Sequence, residues 1–129
     1  MQDALAESTR LQAHAASLGF DWPDIEGVLD KLLEETGEIR AAVRQGDLQH
    51  ARAELGDLLL AAVNTARFLE ANPAVELANA NERFSQRFEA VREEVARQGR
   101  RMESCTLDEL DAIWNRVKVR MDEGLERGG

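Results

Sequence analysis

The 129-residue chain is of a size to fold as one domain, and its 43% apolar content supports a core, while the scarcity of aromatics (5%, with no Tyr) favours helices over strands. A formal charge of −9 excludes nucleic-acid binding through a broad basic surface, and the longest apolar run, Leu58–Val63, is too short to span a membrane. The single cysteine, Cys105, excludes an intrachain disulfide and fits a reducing, cytoplasmic compartment, as does the acidic start MQDALAESTR, which lacks the apolar stretch of a secretory signal.

Residues 3–17 read as a first helix, followed by a connector from Leu18 to Pro23. A second helix is expected from Asp24 to Gln45, with Gly46 as its stop. Asp47 caps a third helix reaching about Ala71. Asn72-Pro73, a cap followed by a first-turn proline, opens a fourth helix to about Gln98, where Gly99 ends it. Thr106 and Glu109 have capping-box spacing and open a fifth helix that ends near Gly124. Short connections between long helices predict an all-α antiparallel bundle of four to five helices.

The helical period then decides where the acidic residues point. At roughly 100° per residue, Val28, Leu32, Ile39 and Ala42 fall within about 60° of Glu35. Glu35 therefore shares an inward face with aliphatics, with Glu38 about 60° to one side and Glu34 about 100° away on that side. On the third helix Leu55, Leu58, Leu59, Ala62 and Leu69 define an apolar stripe expected to face the core, and Glu54 and Asp57 lie along its edge with Ala61 and Asn64. Carboxylates pushed toward an apolar interior repel one another and are costly unless paired or metal-bound. A hard cation such as Mg²⁺ resolves that conflict and keeps positions for water and phosphate. Iron and manganese carboxylate sites of helical bundles use Glu-x-x-His, and neither helix has it; His14 and His50 read as isolated surface histidines.

The segments KLLEETGEI and ELGDLLLAAVNTARFL, with GFDW before them and NANERFSQRF and WNRVK after, resemble the MazG family of nucleotide pyrophosphohydrolases over roughly residues 19–120. The family signature, ExxE followed by ExxD, stands here as Glu35-x-x-Glu38 and Glu54-x-x-Asp57. The resemblance implies one nucleotide pyrophosphohydrolase domain over residues 1–129, a helical fold, and a homodimer or higher oligomer. It also implies Mg²⁺-dependent cleavage of nucleoside triphosphates between the α- and β-phosphates, with Mn²⁺ as a substitute. Carried over by position, Glu35, Glu38, Glu54 and Asp57 match the metal ligands. Lys31, Arg83, Arg87, Trp114 and Lys118 match positions associated with substrate, and Asn64 and Asn81 join them. Two positions depart from some relatives, which have lysine where this chain has His50 and Arg83.

Within that reading the attacking water needs a base, for which Glu38 and Glu34 are the candidates. Arg83 and Arg87, one turn apart, can neutralise a triphosphate, and Lys31 can pair with a ligand or touch phosphate. Trp114 and Trp22 can each stack on a base or pack, buried packing being the expected role of Trp22, while Phe20 reads as core and Cys105 as inert. Two further readings stay open: a base-specific dUTP- or dCTP-type enzyme or a house-cleaner of damaged nucleotides, and a non-catalytic helical interaction module. No nucleic-acid or membrane partner is expected.

Overall fold

Each helix begins where a side chain accepts hydrogen bonds that the first turn cannot place internally. In the computed structural model, which describes residues 3–128 and side chains as far as residue 123, the helices are α1 (Ala4–Ser17), α2 (Ile25–Arg44), α3 (Leu48–Phe68), α4 (Pro73–Arg97) and α5 (Leu107–Gly128). Asp24 accepts the Glu26 N–H at 2.9 Å, Asp47 the His50 N–H at 3.1 Å and Asn72 the Ala74 N–H at 3.0 Å. The Thr106–Glu109 capping box is reciprocal: the Glu109 N–H donates to Thr106 Oγ1 and the Thr106 N–H to Glu109 Oε1, both at 3.1 Å. No strand occurs among the described residues, so the all-α expectation holds.

Helix ends are equally local. After α2, Gly46 takes φ +75°, its N–H donates to the Val43 carbonyl and the Asp47 N–H to that of Ala42. This left-handed close turns the chain sharply enough for α3 to start at Leu48 and run back along α2. After α3 the same arrangement is built on Glu70, at φ 56°, with the Ala71 N–H donating to the Ala66 carbonyl; this is why α3 stops at Phe68, short of the expected Ala71. Two other differences are a 3₁₀ turn at Met102–Ser104, which the sequence did not announce, and the continuation of α5 through Gly124 to Gly128.

The chain divides into two compact units at Leu77 and Ala78. In the first, α2 and α3 pack as an antiparallel pair, and α1 lies on α3, where Gln12 Nε2 donates to the Leu60 carbonyl at 3.2 Å. Its buried apolar residues are Val28, Ala42, Ala51, Ala61 and Val63. The expected core stripe of α3 is therefore corrected. Leu55, Leu59 and Leu69 are exposed, at 48%, 55% and 62%, whereas the small residues Ala51 and Ala61 are buried. In the second unit Val91 and Val95 of α4 pack with Ile113 and Val117 of α5, each removal from water being worth on the order of 2 kcal/mol. Met102, Leu110 and Trp114 close round that cluster. No helix among the described residues is long and apolar enough to cross a membrane.

Candidate functional site

Residues spaced four, then three, apart share one face of a helix. On α2 that spacing aligns Lys31, Glu35, Glu38 and Ala42; on α3 it aligns His50, Glu54, Asp57, Ala61 and Asn64. The two rows meet. Ligand atoms of Glu35, Glu54 and Asp57 all lie within 4.8 Å of one another, as do those of Glu38, His50 and Glu54, so Glu54 belongs to both groups. Of the four acidic residues singled out in the sequence, Glu35, Glu54 and Asp57 come together in one group and Glu38 meets only Glu54, in the other, while Glu34 stands outside both groups, exposed and paired with Lys31 at 3.5 Å.

Glu35 is the anomalous member. Its side chain is 6% exposed, its Oε1 is held by Lys31 Nζ at 3.3 Å, and its Oε2 is buried with no hydrogen-bond partner. A buried acceptor without a donor is costly, the more so when charged. Two things can satisfy it: a proton shared with Glu54, or a cation. Hydrogen bonding to Glu35 and burial push the Glu54 carboxyl above the usual range; the same hydrogen bond, aided by Lys31, holds Glu35 below it. Lys31 is in turn raised, first by its hydrogen bond to Glu35. This oxygen-rich donor set fits a divalent cation, which would take up the charge of the cluster and give Oε2 a partner.

Beside these carboxylates lies a cavity of about 650 Å³, within the range of small-molecule sites. Lys31, Glu35 and Asp57 border it on one side; Trp22, Asn64 and Arg67 are among its other lining residues. Asn64 Oδ1 accepts from Arg67 Nε at 3.0 Å, which leaves the amide NH₂ as the donor available to the cavity. Arg67 also pairs with Asp21, and this guanidinium holds the Asp21 carboxyl below its ordinary value.

Phe20, expected in the core, is 83% exposed, and Trp22, expected to be buried, is 43% exposed and lines the cavity. The Trp22 ring rests on α2 at Gly27, a position whose lack of a β-carbon leaves room for it. His50 lies at the surface as expected, its side chain 51% exposed, but it is not isolated, since its Nε2 is 3.4 Å from Glu54 Oε1. Its position one turn before Glu54 was visible in the sequence, as was that of Arg67 one turn after Asn64; the Asp21–Arg67 pair and the Trp22–Gly27 packing had no local signal. Asn81, Arg83, Arg87, Trp114 and Lys118 belong to the second unit. There Arg87 pairs with Asp122 at 3.3 Å, and Trp114 meets Phe84 at 5.5 Å between ring centroids while packing on the valine–isoleucine cluster. Asn81, Arg83 and Lys118 are exposed.

The sequence profile of the MazG nucleotide pyrophosphohydrolase domain matches residues 24–96, which takes in all four carboxylates. The chain is 38% identical over 117 residues to the nucleoside triphosphate pyrophosphohydrolase of Escherichia coli (strain K12). It is 36% identical over 115 residues to the nucleoside triphosphate pyrophosphohydrolase/pyrophosphatase MazG of Thermotoga maritima. Each match covers 89% of this chain and 44% of the relative, so the chain spans under half the length of these curated relatives.

Proposed function

The chain belongs to the MazG nucleotide pyrophosphohydrolase domain family, and from that membership and its carboxylate cluster we propose that it hydrolyses nucleoside triphosphates to the monophosphate and pyrophosphate. The observation that carries the reading is Glu35 Oε2, buried and partnerless among converging carboxylates at the edge of the cavity. Glu35, Glu38, Glu54 and Asp57 would hold Mg²⁺, with Mn²⁺ as a substitute, and the bound ion would supply positive charge to screen and orient the phosphates.

The rest falls to the chain's own side chains. Lys31, already bridging Glu34 and Glu35, offers a cation to the polyphosphate at the cavity's edge. Water adds across the α–β phosphate bridge: its hydroxyl oxygen bonds to one phosphorus as the P–O bond from that phosphorus to the bridging oxygen breaks, the bridging oxygen leaves with the other phosphate, and the water's proton goes to Glu38, or to Glu34 in the alternative assignment. Asn64 donates to the nucleotide from the cavity wall. Asn81, Arg83, Arg87, Trp114 and Lys118 enter as substrate contacts on the likeness to the relatives, which covers 89% of the chain. Both units are taken to serve one domain, because the family match runs across their boundary. A homodimer or larger oligomer belongs to the same reading, supported by the leucines that α3 leaves exposed, and so does a cytoplasmic setting.

The test is a panel of ribo- and deoxyribonucleoside triphosphates with Mg²⁺, products separated by chromatography. Monophosphate and pyrophosphate in equal amounts are expected, and the panel ranks the bases. Release of orthophosphate and the diphosphate, or no turnover across canonical and damaged nucleotides, overturns the reading.

A further inference from the structure

We propose that His50 is a metal ligand, completing with Glu38 and Glu54 a nitrogen–oxygen position that takes a borderline divalent cation such as Mn²⁺ or Co²⁺ in preference to Mg²⁺. The inference rests on the metal-centre reading above and reverses its order of cations, placing Mn²⁺ before Mg²⁺.

Three observations carry it. The ligand atoms of Glu38, His50 and Glu54 lie within 4.8 Å of one another, and His50 Nε2 is 3.4 Å from Glu54 Oε1. Ligands sharing a cation at metal–ligand lengths of about 2.1 Å stand roughly 3 to 4.2 Å apart, so small side-chain adjustments close the set. Next, Glu54 is common to this group and to that of Glu35 and Asp57, where Glu35 Oε2, on a side chain 6% exposed, has no hydrogen-bond partner and would gain one from a cation. The imidazole thus adjoins a group that would itself gain from a cation. Finally, the His50 backbone is fixed: its N–H donates to the cap residue Asp47 at 3.1 Å, so the ring projects from the first turn of a helix. Imidazole nitrogen is a poor ligand for Mg²⁺ and a good one for later first-row cations, so its presence moves selectivity toward them.

Isothermal titration with MnCl₂, CoCl₂ and MgCl₂, without nucleotide, tests this on the wild type, His50→Gln, His14→Gln and Glu35→Gln, with circular dichroism to establish that each is folded. The expected result is a loss of tenfold or more in Mn²⁺ and Co²⁺ affinity for His50→Gln, with Mg²⁺ affinity changed less than twofold and His14→Gln equal to wild type. The visible absorption bands of bound Co²⁺ should also shift in His50→Gln as a nitrogen donor is lost. Unchanged Mn²⁺ and Co²⁺ affinity in folded His50→Gln, while Glu35→Gln loses metal, overturns the role of His50 and leaves the carboxylate centre standing. Failure of the wild type to bind any of the three cations overturns the metal-centre reading as well.

Discussion

The indole of Trp22 lies against Gly27, so close that a β-carbon on that glycine would stand 2.5 Å from the ring's Cε3. The contact joins the connector before α2 to the first turn of α2 and fixes one wall of the cavity. Gly27→Ala should therefore swing the indole outward. In a Trp114→Phe background, where Trp22 is the sole fluorophore, the emission should move to longer wavelength. In the single variant KM should rise several-fold with kcat nearly unchanged, because a binding wall moves while the carboxylates stay. Unaltered emission would show that the ring does not depend on this glycine.

Glu38→Ala or Asp57→Ala should lose most turnover, roughly 10²-fold or more, because phosphate and cation lose their shared anchor. The helices should persist by circular dichroism, and the metal-free protein should melt at a higher temperature as repulsion within the cluster falls. Glu34→Ala separates the two candidate bases. Glu34 lies outside both carboxylate groups and is expected to be dispensable; a loss of about 10²-fold would place the proton transfer there instead.

Two helix ends of opposite economy make a matched pair. Gly46 and Glu70 both sit in the left-handed region, at φ +75° and 56°, after α2 and α3. Only glycine enters that region without steric cost. Gly46→Ala should destabilise by about 1 kcal/mol, and Glu70→Gly should stabilise by about 0.5–1 kcal/mol, both read from urea midpoints at constant m. A neutral Glu70→Gly would mean that Glu70 makes a compensating contact.

The capping box at the start of α5 carries a pH dependence. Thr106→Ala should cost about 1 kcal/mol. Glu109 is held below the ordinary carboxylate value of 4.5, first by the Thr106 N–H and then by Arg100. A carboxyl depressed in the folded state stabilises above its unfolded value, and that contribution disappears as pH falls through the folded value. Wild type should therefore outlast Glu109→Gln in thermal melts at neutral pH, and the gap should narrow as pH is lowered below 4.5. A gap that does not change with pH would assign the difference to packing.

If the exposed leucines of α3 are covered by a second copy, Leu55→Glu with Leu59→Glu should reduce the sedimenting species to a monomer. Sedimentation of the wild type as a monomer at micromolar concentration would contradict self-association outright.

By itself the sequence determined most features that span only a few residues, the 3₁₀ turn at Met102–Ser104 and the left-handed close at Glu70 excepted. The five helices, the caps at Asp24, Asp47, Asn72 and Thr106, and the two acidic pairs follow from helical period and from which side chains can reach a first-turn N–H. The convergence of Glu35 with Glu54 was also legible, because a short connection through Gly46 makes α2 and α3 antiparallel neighbours. What only the tertiary structure decided is which face of α3 each neighbour uses. An amphipathic pattern identifies an apolar face but not its partner, and here the small residues Ala51 and Ala61 are buried while Leu55 and Leu59 are left outside. The Asp21–Arg67 pair and the seating of Trp22 on Gly27 depend on where the connector falls once those helices have packed. No spacing along the chain encodes that position, because it arises from the fit of side-chain volumes between segments that are distant in sequence.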